Sequence, residues 1–484
     1  MQGKRSARRS AVWSGLLTGL STVAVSGAAA VAGAILSRKF GHGVKTDGFF
    51  AAYSAYLALV LVANALRVVL LPRFARAEAE GRLAREVSSW VAALAVPLVP
   101  LVGVSILASH WIASALTGGP KTHYAAQLLP WLIPAAAAQV LAGVAASALA
   151  ALDDYGTAAI GIALAGAAGL AGIVALIGHG VVAFGWGLTL NGAIALAVPG
   201  AVLIARRGVG GLEWEVFPRL AALAEGVALP FALQGLFVIG TRFAQGLGNG
   251  PATTFSYAYL MAAILVAVTA TSIALVSSVP LAREELTAKR AGRHVVAASW
   301  LSFAVVAAAA GVFALAGERV ARLGLGSHYG GGTGAELGRL VVYLAPWMAI
   351  SVAVSVGFPL LFVRGRARWL PALALAALAA HVLVTWAGRS AFGLAGIDAA
   401  MAVTTGAVLA AVLWSLGAFT QTVTSLLTAA LVCGGLAAVA FGVSGVLLGP
   451  VPAAVAGVAL YGVTLALWRP AGLRTAWTYA RALR

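Results

Sequence analysis

The sequence predicts an all-α integral membrane protein with about fourteen transmembrane helices. Of its 484 residues, 61% are hydrophobic and only 10% are charged, which is more apolar surface than a soluble fold can bury. Long stretches without Asp, Glu, Lys or Arg alternate with short clusters of arginine. A helix needs about 20 apolar residues to cross the hydrocarbon core, and lipid cannot satisfy backbone hydrogen bonds. The alternation is therefore typical of a bundle of spanning helices.

The apolar runs give the predicted spans in order. In chain order they are 12–36, 48–71, 89–109, 125–151, 156–178, 181–205, 220–243, 252–280, 295–316, 337–363, 369–387, 396–419, 424–448 and 451–468.

The distribution of basic residues predicts the orientation. If both termini are cytoplasmic, the segments on that side hold roughly 22 Lys and Arg residues and the opposite side about 8, which is the bias of the positive-inside rule. The outer residues are then Arg38, Lys39, Lys45, Lys121, Arg319, Arg322, Arg339 and Arg389. The two basic residues that remain, Arg67 and Arg242, fall within spans. We therefore expect a multi-pass protein of the inner (plasma) membrane with both termini cytoplasmic.

Composition also excludes several classes of function. The net charge of +18 does not indicate nucleic-acid binding, because the basic residues lie between hydrophobic spans and not on one soluble face. Cys433 is the only cysteine, so the chain can form neither an internal disulfide nor a cysteine-based metal site. No phosphate-binding glycine loop, HExxH or GxSxG motif is present. The pair Asp153-Asp154 is interpreted as a solvated turn and not as a metal site. We expect no cofactor, no metal and no enzymatic activity.

An internal repeat divides the chain. Similar short sequences recur about 200 to 216 residues apart: Tyr53–Leu57 and Tyr257–Leu260, Pro72 and Pro280, Gly81-Arg82 and Gly292-Arg293, Leu129–Leu132 and Ala345–Met348, Phe184-Gly185 and Phe392-Gly393. Transporters use such repeats to place a binding site between two halves. The predicted parts are a basic N-terminus (1–11), a six-helix bundle (12–205), a linker (206–219), a second six-helix bundle (220–419), two further helices (420–468) and a basic amphipathic tail (469–484). Residues 73–89 are predicted to form a helix on the membrane surface, with pairs Glu78/Arg82 and Arg82/Glu86.

Polar residues inside spans are the candidates for a binding site, because each is costly in lipid unless it is paired or hydrated. Arg67 has Asn64 one turn earlier, and Arg242 has Gln234 and Gln245 nearby. Either arginine could instead extend its guanidinium to the headgroups. Glu225 and Asp398 are candidates for coupling to an ion. As alternatives, Glu225 is an interfacial acid and Asp398 a helix N-cap.

Two short motifs support a family resemblance. Residues 37–41 read SRKFG and residues 46–53 read TDGFFAAY, which resembles the ARxFG…TDAFFxA stretch of the MviN/MurJ lipid flippases. Residues 248–250 and 255–258, GNG and FSYA, are similar to that family's glycine-led entry to a later helix. The helix plan is similar over nearly the whole chain, and the parent group is the superfamily of multidrug, oligosaccharidyl-lipid and polysaccharide (MOP) exporters.

The resemblance implies two six-helix bundles around a cavity that opens alternately to each side, and a lipid substrate that bears a pyrophosphate. Of the matched polar residues, Asp47 carries over and would organise the outer gate. The family's arginine motif in the first helix is replaced by the uncharged segment Ser26–Gly33, and Val60 lies where a further arginine is expected. These departures favour a substrate other than peptidoglycan lipid II.

Four functional hypotheses follow. The first is a flippase of a lipid-linked saccharide or similar anionic amphiphile, whose head would be bound by Arg242, Arg67, Arg38 and Lys39. The second is a cation-coupled drug exporter that uses Glu225 or Asp398 with H+ or Na+. The third is a membrane glycosyltransferase or acyltransferase, and the fourth a scaffold that partners cell-envelope synthesis enzymes. Membrane lipids are partners in all four.

Overall fold

The computed structural model describes residues 27–282 and 287–482, and the described part is helical without β-strands. The predicted N-terminus 1–11 and most of the first span lie outside it, as do Arg283 and Arg484. The helices are α1 (27–40), α2 (Val44–Ala79), α3 (Leu83–Leu107), α4 (Ser109–Leu116), α5 (Lys121–Ala151), α6 (Tyr155–Leu176), α7 (Val182–Arg207), α8 (Val216–Gln245), α9 (Pro251–Ala282), α10 (Ala288–Leu325), α11 (Gly332–Tyr343), α12 (Ala345–Val363), α13 (Leu370–Phe392), α14 (Leu394–Ser415), α15 (Phe419–Leu447), α16 (Pro450–Trp468) and α17 (Ala471–Ala482).

The helices confirm the predicted fold class. Within the described residues, twelve helices are long and apolar enough to cross a membrane, and α9 adds a shorter apolar stretch over Pro251–Ala267. The described part of the first predicted span is α1. Within the described residues, every predicted span is therefore helical.

The predicted surface helix over residues 73–89 is wrong. Helix α2 continues to Ala79, and α3 begins at Leu83 after a tight turn. Gly81 has a φ of +68°, which glycine adopts without the steric penalty of a side chain, so the chain reverses here. The predicted pairs within one helix are replaced: Arg82 pairs with Glu80, Glu78 with Arg207 and Glu86 with Arg219.

Two further details differ from the prediction. The predicted span 337–363 is divided into α11 and α12 at Leu344. Pro346 lacks an N–H and cannot close the helical bond to the carbonyl of Val342, which explains the break. The short helix α4 between α3 and α5 was not predicted, because its eight residues were counted as a connection.

The chain forms two compact units, Met1–Val238 and Ile239–Arg484. In the first unit, α5 packs against both α2 and α7, and α6 packs against α7. Glycines make these approaches close. A Cβ built on Gly143 would lie 2.9 Å from the carbonyl oxygen of Ala63, and one on Gly192 2.6 Å from that of Ala135. Helices α6 and α7 also pack closely, because a Cβ on Gly169 would lie 2.8 Å from the Asn191 Cβ.

The second unit repeats this order of contacts. Helix α12 packs against α9 and α14, and α13 packs against α14, which matches the set α5, α2, α7 and α6 of the first unit. Helices α15, α16 and α17 pack against α10. The boundary between the units falls within α8, whereas the predicted linker is 206–219, and the predicted division into bundles stays a prediction.

We expect Gly192→Ala to lower the melting temperature of the detergent-solubilised protein. Its Cβ must displace the backbone at Ala135, and overpacking of this kind costs about 1–3 kcal/mol. Gly200→Ala on the same helix is the control, because a Cβ there meets nothing within 4 Å and alanine favours the helix. Equal melting temperatures for the two variants would contradict this account of the packing.

Candidate functional site

Asp47 is buried in an ion pair that the sequence did not indicate. Its carboxylate lies 3.1 Å from the Lys121 ammonium, and the two side chains are 0% and 4% exposed. Asp47 belongs to the first turn of α2, where the helix dipole favours a negative charge. Lys121 begins α5. The pair therefore ties the beginning of α2 to the beginning of α5.

The local sequence creates this contact. A Cβ on Gly48 would lie 2.7 Å from the Lys121 carbonyl oxygen and 2.8 Å from the Tyr124 Cβ, so only glycine permits the approach. The Gly43 amide donates to the Thr46 hydroxyl over 3.0 Å and fixes the first turn of α2. Lys121 had been assigned to an exposed outer loop. Its position outside the predicted span 125–151 gives no signal that it pairs with Asp47.

Aromatic rings continue from Asp47 along α2. Phe49 stacks on Tyr53 and Tyr53 on Tyr56, with ring centroids 5.2 and 5.5 Å apart. Phe184 of α7 meets the edge of Phe49 at 5.4 Å. Such contacts hold side chains in defined orientations. The predicted gate residue thus lies in a rigid, well-packed part of the first unit.

The other predicted residues of the first unit differ in their exposure. Arg38 and Lys39 are exposed at the end of α1, and Arg67 is half-buried in α2. The side chain of Asn64 lies outside the described part of the structure. Glu225 is half-buried in α8 and makes no ion pair with any described residue. Its neighbour Gly226 contacts Val69, since a Cβ there would lie 2.2 Å from a methyl carbon of that valine.

Arg242 lies in the last turn of α8 with an exposed side chain. Gln234 and Gln245 of the same helix are buried. Arg389 of α13 donates to the Gly246 carbonyl over 2.8 Å and holds the end of α8 in place. The arginine is thus presented on a fixed helix end, and its role in binding stays a prediction.

Asp398 is fully buried and is not the helix N-cap that one interpretation proposed. Helix α14 begins at Leu394 with Gly393 as its N-cap, so Asp398 lies inside the helix. It is 0% exposed, and neither carboxylate oxygen has a hydrogen-bond partner among the described residues. Buried carboxylates are normally paired, and the role of this one in coupling to an ion stays a prediction.

Further polar groups are buried close to Asp398 in the second unit. A Cβ on Gly240 of α8 would touch Phe255 of α9 at 2.8 Å and Ile397 of α14 at 3.1 Å, so the three helices meet there. Each of the three contacting residues is followed in the sequence by a polar, buried residue. These polar residues are Thr241, Ser256 and Asp398. In the described part of the chain, the hydroxyls of Thr241 and Ser256 also have no hydrogen-bond partner.

The remaining acidic and histidine candidates have structural partners. Asp154 caps α6 by accepting the Thr157 amide over 3.0 Å, and Arg206 lies 2.9 Å from it. Partial burial acts to raise the pKa of Asp154, but the hydrogen bonds from Thr157 and the charge of Arg206 outweigh burial and lower the pKa below its usual value. His381 of α13 contacts the hydroxyls of Thr404 and Thr385 at 3.0 and 3.2 Å. No group of three metal-ligating side chains occurs among the described residues.

Comparison with known proteins gives structural likeness without sequence likeness. No family model and no curated protein matches the chain. The lipid II flippase MurJ in an inward closed conformation superimposes with a TM-score of 0.76, at 13% identity, over 94% of this chain and 99% of that chain. An inward-facing multidrug resistance MATE transporter of the MOP superfamily gives 0.63 at 13% identity, over 84% and 94%. A MOP superfamily transporter from Pyrococcus furiosus gives 0.56 at 15% identity, over 85% and 93%.

The chain has the MOP transporter fold. The resemblance predicted from two short motifs is confirmed at the level of the fold.

We expect Lys121→Ala to destabilise the protein by about 3–5 kcal/mol, because it leaves Asp47 as an uncompensated buried charge. The double variant Asp47→Asn, Lys121→Met should recover most of this loss. Lys45→Ala, at an exposed lysine two residues from the same acid in the sequence, serves as the control. Thermal unfolding of the unaltered protein, Asp47→Asn, Lys121→Met and the double variant forms a double-mutant cycle. Additive effects would show that the two charges do not depend on each other.

Proposed function

We propose that the chain is a membrane transporter of the flippase type, which moves a lipid-linked saccharide or similar anionic amphiphile by alternating access. The observation that carries the proposal is the likeness to MurJ, which extends over nearly the whole of both chains. Its TM-score of 0.76 exceeds the 0.63 and 0.56 of the drug and archaeal transporters. The proposed location is the inner membrane with both termini cytoplasmic, which the positive-inside bias supports.

Exposed cations at helix ends suit an anionic head group. Arg38 and Lys39 follow one another at the end of α1, and Arg242 lies in the last turn of α8. A guanidinium can bind phosphate oxygens with two parallel hydrogen bonds. The uncharged segment Ser26–Gly33 lacks the arginines of lipid II flippases, so the proposed substrate is a different lipid-linked or amphiphilic anion. Partnership with cell-envelope synthesis enzymes is part of the proposal, and catalysis by this chain is not.

Transport can be measured directly in vesicles. The purified protein is reconstituted with a polyisoprenyl-pyrophosphate saccharide that carries a fluorescent group on the sugar, and a membrane-impermeant reductant then bleaches the outer leaflet. Flipping raises the bleached fraction above the half that protein-free vesicles show. A bleached fraction equal to that of protein-free vesicles, across saccharides of different size, would contradict the flippase proposal.

Arg242→Ala should reduce this flipping by about tenfold or more, because a hydrogen bond to a charged group is worth about 1.5–3 kcal/mol. Arg242→Lys should restore only part of the rate, since an ammonium lacks the two-pronged geometry. Arg339→Ala, at an exposed arginine in α11, is the matched control and should flip normally. If Arg242 only contacts headgroups, the lysine variant will be fully active. Melting temperatures verify that the variants are folded.

A second candidate is a cation-coupled exporter, which the burial of Asp398 without a hydrogen-bond partner supports. In this proposal the carboxylate binds the coupling H+ or Na+, with Thr241 and Ser256 close by. Glu225, the other candidate for coupling, is more exposed and lies in the first unit.

Asp398→Asn should remove the dependence of transport on an imposed pH or Na+ gradient, because the amide can hold neither ion as a carboxylate does. Glu225→Gln is the comparison variant and should keep that dependence. The readout is uptake of a fluorescent organic cation and of the labelled lipid, each with and without a gradient. Retained gradient dependence in Asp398→Asn would exclude this residue from coupling.

A further inference from the structure

The segment that connects α7 to α8 is held against the beginning of α3. The connection itself (208–215), together with the first two residues of α8 (216–217), is called the α7–α8 linker below. The Gly210 amide donates to the Ser88 hydroxyl over 3.2 Å, and the Glu213 amide donates to the Ser89 hydroxyl over 2.9 Å. A Cβ on Gly210 would lie 2.3 Å from the backbone nitrogen of Arg85, so the two backbones are in direct contact.

Arg219 also holds the linker against α3, through contacts with both segments. Its side chain is almost fully buried in the first turn of α8 and donates to both carboxylate oxygens of Glu86, over 2.9 and 3.1 Å. A third contact, at 3.4 Å, reaches Glu213 of the linker, and the guanidinium lies over the Trp90 ring at 5.8 Å. One face of the linker is therefore docked on α3 by backbone and charged contacts.

The opposite face is apolar and uncovered. Trp214 and Phe217 are 73% and 86% exposed, and Val209 and Leu212 are exposed as well. Four large apolar side chains thus project from one short connection, a density that a loop surrounded by water does not normally have. The nearby charges largely neutralise one another, since Arg85 pairs with Glu213, Arg207 with Glu78 and Arg206 with Asp154.

The position of the linker identifies what covers this face. It joins the ends of two spanning helices, α7 and α8, and it is pinned to the first turn of a third, α3. All three helix ends lie at the boundary between hydrocarbon and water, and tryptophan is enriched at this depth. We propose that the α7–α8 linker is an interfacial anchor, with Trp214 and Phe217 inserted at the level of the lipid headgroups. The paired charges mean that apolar insertion, and not attraction to anionic lipid, supplies the binding.

The depth of the linker can be measured with single cysteines. Cys433 is the only cysteine, so Cys433→Ala gives a background for Trp214→Cys, Phe217→Cys and Glu215→Cys. Each is labelled with an environment-sensitive fluorophore in nanodiscs of zwitterionic phosphatidylcholine, which leave both faces open. Glu215 is the control, since it lies between the two aromatic residues and is also exposed. The measurement does not depend on transport, so its failure is distinct from failure of the proposed function.

We expect labels at 214 and 217 to be quenched by lipids that carry a nitroxide near the headgroup, and the label at 215 by aqueous iodide. Equal iodide quenching at all three positions would place the linker in water and overturn the proposal. Protection of 214 and 217 from both quenchers would also overturn it, because a protein surface and not lipid would then cover them. Labels that respond only when anionic lipid is added would refute the apolar basis of the insertion.

Discussion

The high cost of an uncompensated charge in lipid or in a packed helix bundle constrains the charged groups buried in the described part of this protein. The charge of Asp47 is compensated by Lys121, and this ion pair joins the first turns of α2 and α5. Arg242 avoids that cost by lying exposed at a helix end. Asp47 is therefore a buried acid with a charged partner, whereas Asp398 is a buried acid whose carboxylate has no hydrogen-bond partner in the described part of the chain.

The same constraint explains how much of the fold could be predicted from the sequence. The spanning helices were predictable because a chain in lipid must satisfy its backbone hydrogen bonds within each apolar run. The motif around Asp47 indicated the MOP fold that the structural comparison supports. The end of α2 was not predictable in this way. Its Arg/Glu-rich continuation has helical pair spacing, and the turn at Gly81 depends on tertiary pairing of Glu78 and Glu86 with arginines far along the chain.

The candidate site was predicted less completely than the fold. The family motif identified Asp47, and residue type together with position within a predicted span identified Asp398, because acids within spans are rare. The partner of Asp47 could not be found, since Lys121 is distant in sequence and looks like an ordinary outer-loop lysine. The choice between N-cap and buried acid for Asp398 depended on where α14 begins, and helix boundaries are the least certain part of a sequence-based prediction.

The glycine contacts of the first unit restrict the route that a bulky solute can take. At Gly192 there is no space for one methyl group between α7 and α5, and at Gly169 none between α6 and α7. A sugar ring is many times larger than a methyl group, so neither seam can open to it without separating the helices along their length. At these two points the packed helices leave no passage for a sugar ring between them.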